Sequence, residues 1–194
     1  MFDELLEPVY NLYGGYGYYF LQTGVPDSFV WSVQIIMLLS LLVWYALDRD
    51  SLLRKCIVLL LIDYVLILVG STVLFREGGT ATGLNFIPLW SYKAIFDGHD
   101  QLVLENLLNV IVFVPIGILT GIIIGKHNVT KVLLFCLSVS VTIEIGQFLF
   151  NKGFAEVDDI IHNTLGGILG YYITTALWWL SNKIVSLLKQ VSFE

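Results

Sequence analysis

Charge is scarce in this sequence. Only 13% of its 194 residues are Asp, Glu, Lys or Arg, against roughly 25% in an ordinary soluble domain. A water-soluble globule of this length would lack the polar side chains to cover its surface. Positive charge is scarcest, with 10 Lys and Arg against 16 Asp and Glu and a net charge of −6. That excludes a basic protein that binds nucleic acid. Two cysteines are too few for a secreted disulfide scaffold. No glycine-rich phosphate loop is present, which argues against an ATP-driven pump, and no basic segment precedes the first apolar run, so no signal peptide is read. Apolar side chains, by contrast, make up 57% of the chain, which excludes disorder. The fold class that remains is an all-α, polytopic integral membrane bundle forming one compact unit.

Five apolar windows are long enough to cross a hydrocarbon core of about 30 Å: residues 28–47, 56–75, 106–125, 132–150 and 160–180. They are continuous rather than alternating, so they read as helices and not as strands of a barrel. Residues 1–27 hold no Lys or Arg. The connections on that side of the alternating spans carry Arg76, Lys93 and Lys152, and the other side, which includes the C-terminal tail, carries Arg49, Arg54, Lys55, Lys126, Lys131, Lys183 and Lys189. The richer side is expected in the cytoplasm, with the N-terminus outside and the C-terminus inside. Residues 1–27, with Tyr10, Tyr13, Tyr16, Tyr18 and Tyr19, read either as an interfacial segment or as a mobile tail. Residues 181–194 read as a cytoplasmic tail. Trp31, Trp178 and Trp179 mark span boundaries.

Ionisable groups inside a membrane are expensive, about 3 kcal/mol at a helix centre, and face the protein interior. Span four carries Ser140, Glu144 and Gln147 on one helical face. Span three starts at Glu105, Asn106 and Asn109 and continues to Pro115 and Gly117. Span five starts at Asp158, Asp159, His162 and Asn163 and continues through the small residues Gly166, Gly167 and Gly170. Alternating spans bring these segments, with Arg76 at the end of span two, to one depth. The expectation is a single polar pocket that opens toward the outer leaflet.

Three uses of such a pocket stay open: a structural network, a ligand-binding site and catalysis. Glu144, Asp158 and Asp159 could act as general acid and base in hydrolysis or group transfer. With His162 they could instead hold a divalent metal; no other cofactor is implied. The same residues could also be a structural network, Arg76 neutralising the acids while Asn109, Gln147 and Asn163 join helices. Asp63, alone in span two, awaits a partner. Cys56 and Cys136 read as packed thiols, His127 as solvated, and His99 as part of a turn with Asp97, Gly98 and Asp100.

Four stretches in order resemble the VanZ-like family of membrane proteins: Asn85–Leu89 (NFIPL), Asn106–Gly117 (NLLNVIVFVPIG), Ile143–Gln147 (IEIGQ) and Val157–Gly167 (VDDIIHNTLGG). Arg76 ahead of them fits as well. The resemblance covers about residues 75–172 and implies a shared core of Arg76, Asn85, Pro88, Asn109, Pro115, Gly117, Glu144, Gln147, Asp159, Asn163 and Gly166. Two departures matter. Gly153, beside Lys152, stands where the family often has arginine, and Glu156 stands where it often has Asp. Any anion bound by that arginine in relatives would here fall to Lys152 or be lost. His162 takes a usually apolar place, which argues against a catalytic part.

The resemblance implies association with low-level teicoplanin resistance in Gram-positive bacteria and a place in the cytoplasmic membrane. The expected partner is a membrane lipid or another amphiphilic or lipid-linked molecule, held by Arg76, Asn85, Asn106, Asn109, Gln147 and Asn163. An intramembrane hydrolase or transferase acting on a lipid-linked cell-envelope substrate is the alternative, and a structural partner in a membrane complex the third reading. The sequence leaves the metal, the oligomeric state and the question of catalysis undecided.

Overall fold

The computed structural model describes residues 26–47, 52–76, 82–125 and 128–191. The tyrosine-rich start, residues 1–25, and His127 lie outside them. The elements in order are α1 (Asp27–Leu47), α2 (Leu52–Val69) extended by a π-helical segment (Gly70–Leu74), β1 (Gly83–Asn85), α3 (Trp90–Phe96), α4 (Gln101–Ile124), α5 (Val129–Leu149), β2 (Phe154–Glu156) and α6 (Val157–Val191). The architecture is helical. To it the structure adds one feature the sequence did not signal, a short parallel ribbon pairing Gly83 with Phe154, Leu84 with Ala155 and Asn85 with Glu156.

Among the described residues, three helical stretches are long and apolar enough to cross a membrane: Leu52–Leu74, Gln101–Ile124 and Val129–Leu149. A shorter apolar stretch, Ser28–Val43, belongs to α1. Helix α6 runs 35 residues, through residue 180 and on to Val191, about 50 Å at 1.5 Å per residue. Lys183 lies over the Trp179 ring, 5.0 Å from its centroid, a cation–π contact.

Helix α6 is the axis of the bundle, packed chiefly on α4 and next on α5. Apolar side chains gain little by leaving lipid for other apolar side chains, so close van der Waals fit drives such contacts. Small residues supply the fit. A Cβ added at Gly166 would fall 2.0 Å from the Val110 carbonyl oxygen, and one at Gly170 would fall 2.2 Å from that of Val114. Gly117 of α4 faces back onto the Gly167 backbone. Phe113, Ile116, Val132, Cys136, Ile143 and Tyr171 fill the surrounding core. Cys136 is a buried free thiol and Cys56 a half-buried one.

Peripheral helices are pinned by polar bonds. Gln34 of α1 donates through Nε2 to both Asp63 oxygens, at 2.9 and 3.0 Å, which supplies the partner missing for Asp63. Tyr64 of α2 donates to the Val112 carbonyl of α4 at 2.9 Å. At the far end of α2 the π segment places Val73 against Gly146 of α5. Helix α4 stops at Gly125, whose φ of 85° favours a residue without a side chain.

Candidate functional site

The polar site is built at the start of α6, where acidic residues suit the helix N-terminus. Asp158, 0% exposed, accepts the backbone N–H of Leu89, the N–H of Ser91 at 2.9 Å and the Ser91 hydroxyl at 2.6 Å. Asn106 of α4 donates to the same hydroxyl at 3.1 Å. These bonds hold the start of α3 against α6 and α4. Leu89, between Pro88 and Trp90, has φ 61°, a left-handed backbone that costs a non-glycine residue. Asn85 Oδ1 accepts the Ile87 N–H at 3.3 Å, so Asn85 shapes the turn leading there.

One helical face further round, α4, α5 and α6 meet. Asn109 Nδ2 donates to Asp159 Oδ1 at 2.8 Å. Glu144 Oε2 accepts the backbone N–H of Glu156 at 3.0 Å. One turn deeper, Asn163 Nδ2 donates to Ser140 Oγ at 2.9 Å. Among the described residues, the other oxygen of Glu144 and of Asp159 has no hydrogen-bond partner. Asn163 Oδ1 is buried without one, as is His162 Nδ1. The Asp159 charge acts on Glu144, and the Arg76 charge acts on both.

Arg76 and the turn before β2 close this end. Lys152 Nζ donates to the Arg76 carbonyl at 2.6 Å. The Arg76 guanidinium lies beside Gly153, where a Cβ would be 3.7 Å from Nη2, and Gly153 has φ 145°. Gln147 donates to the Thr72 carbonyl at 3.4 Å, in the last turn of α2, where carbonyls lack helical partners. Trp90 Nε1 donates to Glu156 Oε2 at 2.9 Å. Burial pushes the Glu156 carboxyl above the usual carboxylate range; the Trp90 bond opposes that rise and the Asp158 and Glu105 charges add to it.

The residues singled out in the sequence divide into three groups. Glu144, Asp159, Asn109 and Asn163 come together with Arg76 near them. Asp158 and Asn106 hold α3 in place. Asn85 and Gln147 serve the turn and the α2–α5 contact. Among the described residues no group of three or more His, Cys, Asp or Glu is arranged to hold a metal ion. Lys152, considered as a substitute for an anion-binding arginine, has its ammonium on a backbone carbonyl. His162 shares a 2.9 Å hydrogen bond between Nε2 and the Tyr92 hydroxyl.

Sequence reasoning passed over Trp90, Ser91 and Tyr92. The signal was weak but present. Pro-Leu-Trp-Ser opens a short helix, and the connection between spans two and three carries the aromatic residues Phe86, Trp90, Tyr92 and Phe96.

The family model described as VanZ/LLP1 matches residues 56–179. The chain belongs to the VanZ/LLP1 family. The VanZ-family match runs from α2 into α6 and takes in every residue of the polar end; α1 precedes it. The chain is also similar to Protein VanZ of Enterococcus faecium, 39% identical over 79 residues, which are 41% of this chain and 47% of that protein. It thus spans about half the length of that relative. No solved structure matches.

Proposed function

We propose that this VanZ-family chain spans the cytoplasmic membrane five times, N-terminus outside, and uses its polar end at the outer leaflet to bind an amphiphile, lowering susceptibility to lipoglycopeptides such as teicoplanin. The five-span reading adds α1 and α6 to the three long apolar helices. Apolar side chains of α1, among them Trp31, Ile35, Ile36, Leu38, Leu39 and Leu42, are exposed, as they would be against hydrocarbon. The lysine and arginine distribution supports the orientation.

One observation carries the binding reading. A purely structural polar network buried at helix junctions fills its hydrogen-bonding capacity. This one leaves Asn163 Oδ1 buried and unpartnered, beneath two carboxylates that each retain an unused oxygen. Such a site accepts hydrogen bonds from a ligand's hydroxyl, amide or ammonium groups. An acyl-bearing drug inserts at about 0.8 kcal/mol per buried methylene, so a protein that engages amphiphiles at the surface would change how much drug the membrane holds.

The test expresses the wild type and the Glu144→Gln, Asp159→Asn and Asn163→Leu variants at matched membrane abundance in a teicoplanin-susceptible Gram-positive host. Growth inhibition and drug bound per cell are then measured. The expectation is reduced drug binding with the wild type and its loss in the variants. Equal drug binding with and without the wild-type chain overturns the reading. Turnover of a lipid-linked cell-envelope substrate by the purified protein, lost in Glu144→Gln, would favour the enzymic alternative, in which the unused oxygens of Glu144 and Asp159 serve as acid and base.

A further inference from the structure

We propose that the segment from Phe86 to Phe96 is a membrane-interface anchor, its outer face seated at the boundary between lipid headgroups and acyl chains. In the sequence this stretch lies in the connection between spans two and three. In the structure it is a rigid, two-sided element. Its inner face, Ser91 with the half-buried Ala94 and Ile95, turns toward the bundle and is fixed there by the Asp158, Asn106 and Glu156 bonds. Its outer side presents Phe86 (69% exposed), Ile87 (67%), Leu89 (55%) and Phe96 (90%), together with Tyr92 and Lys93.

Water is a poor occupant of that face, because four large apolar side chains are held outward by bonds that prevent them from folding in. Lipid is the better occupant for two reasons. The next helix in the chain carries an exposed apolar stripe, with Val103, Leu107 and Ile111 at four-residue spacing along α4, and that helix is apolar enough to cross the membrane. The outer face of the segment also carries Lys93, a residue type that keeps its charged tip among headgroups while the stem is buried; the Tyr92 hydroxyl is turned inward to His162 Nε2. A protein contact would have to desolvate the Lys93 ammonium, whereas an anionic headgroup would neutralise it. The exposed Asp97–Asp100 turn that follows supplies the wet side. The anchor does not depend on the amphiphile reading, but it sets the depth of the polar residues tied to it.

The test places a single environment-sensitive nitrobenzoxadiazole label on Phe96→Cys, Ile87→Cys, Leu107→Cys and His99→Cys. Each full-length variant is reconstituted in phosphatidylcholine–phosphatidylglycerol vesicles. The wild type, with Cys56 and Cys136, gives the labelling background. Labels at 87 and 96 are expected to emit to the blue of the label at 99. They should also be quenched several-fold more by lipids carrying a doxyl group near the headgroup end of the chain than by aqueous iodide. The label at 107 should report lipid and the label at 99 water. Labels at 87 and 96 that quench like the one at 99 overturn the proposal in favour of a wet loop. Labels screened from both quenchers overturn it in favour of a contact with protein, a second copy included. The substituted side chains lie on the surface, so loss of fold is not expected to obscure the result.

Discussion

The first turn of α6 and its middle are held by opposite means. At Asp158 the helix is fixed by directional hydrogen bonds to a segment from a distant part of the chain. At Gly166 and Gly170 it is fixed chiefly by shape, backbone against backbone, with carbonyl oxygens of α4 in the space a Cβ would need, and the Thr174 hydroxyl adds one bond to the Ile118 carbonyl of α4 at 3.3 Å. The polar end, one or two turns away, has several unused acceptors. A membrane protein gains rigidity most economically from close packing, so unfilled polar capacity beside such a seam is a feature that stability alone does not explain.

The largest effect that would break this contrast is expected from Asp158→Ala. It strands the Leu89 and Ser91 N–H groups and the Ser91 hydroxyl, at about 1–3 kcal/mol for each unsatisfied buried group. Thermal unfolding of the detergent-solubilised protein should show the steepest loss among these variants, and Asp158→Asn should fall between it and the wild type. A wild-type melting curve for Asp158→Ala would mean that α3 is held by its apolar contacts. Next comes the seam. Gly170→Ala puts a methyl group where the Val114 carbonyl oxygen sits, and overpacking of this kind costs about 1–3 kcal/mol. Because α4 and α6 must part, the polar end should loosen with it, visible as greater reactivity of the Cys136 thiol, which lies against Gly167.

The difference between the two regions also explains what was legible in the sequence. Glycine spacing and apolar run length are local, so the seam and the helical class could be read directly. Glu144, Asp159, Asn109 and Asn163 could be brought together because alternating spans fix their depth. What Asp158 does was not legible, since its partners lie about seventy residues earlier and nothing local marks a serine as a carboxylate's partner. The β1–β2 ribbon is three residues per strand, too short for a periodic signal. Gln34 and Asp63 likewise meet only after α1 and α2 pack.

A smaller effect sharpens the comparison from the polar side. Asn109→Leu removes a single interhelical bond to Asp159, and such bonds in membranes average about 0.6 kcal/mol with a maximum near 1.7. Stability should therefore change little. Drug binding should change as much as in Asp159→Asn, because the carboxylate loses its positioning partner. If stability and drug binding fall in proportion, the polar end is a structural network like the seam.

The smallest effect is a matter of pH. In the folded chain burial raises the Glu156 carboxyl above its ordinary value of 4.5. Below that value the group is protonated whether the chain is folded or not, and it adds no pH dependence. As pH rises from 4.5 toward the higher folded value, the unfolded chain releases its proton first. The folded state then binds more protons than the unfolded one, so stability falls with rising pH. Glu156→Gln keeps an oxygen to accept the Trp90 N–H but cannot ionise, so its melting temperature should decline less than the wild type's across that window. An unchanged slope would assign the pH dependence to the neighbouring acids. A steeper slope would mean that the charged form of Glu156 is stabilised in the folded chain, reversing the electrostatic order inferred for this end of the bundle.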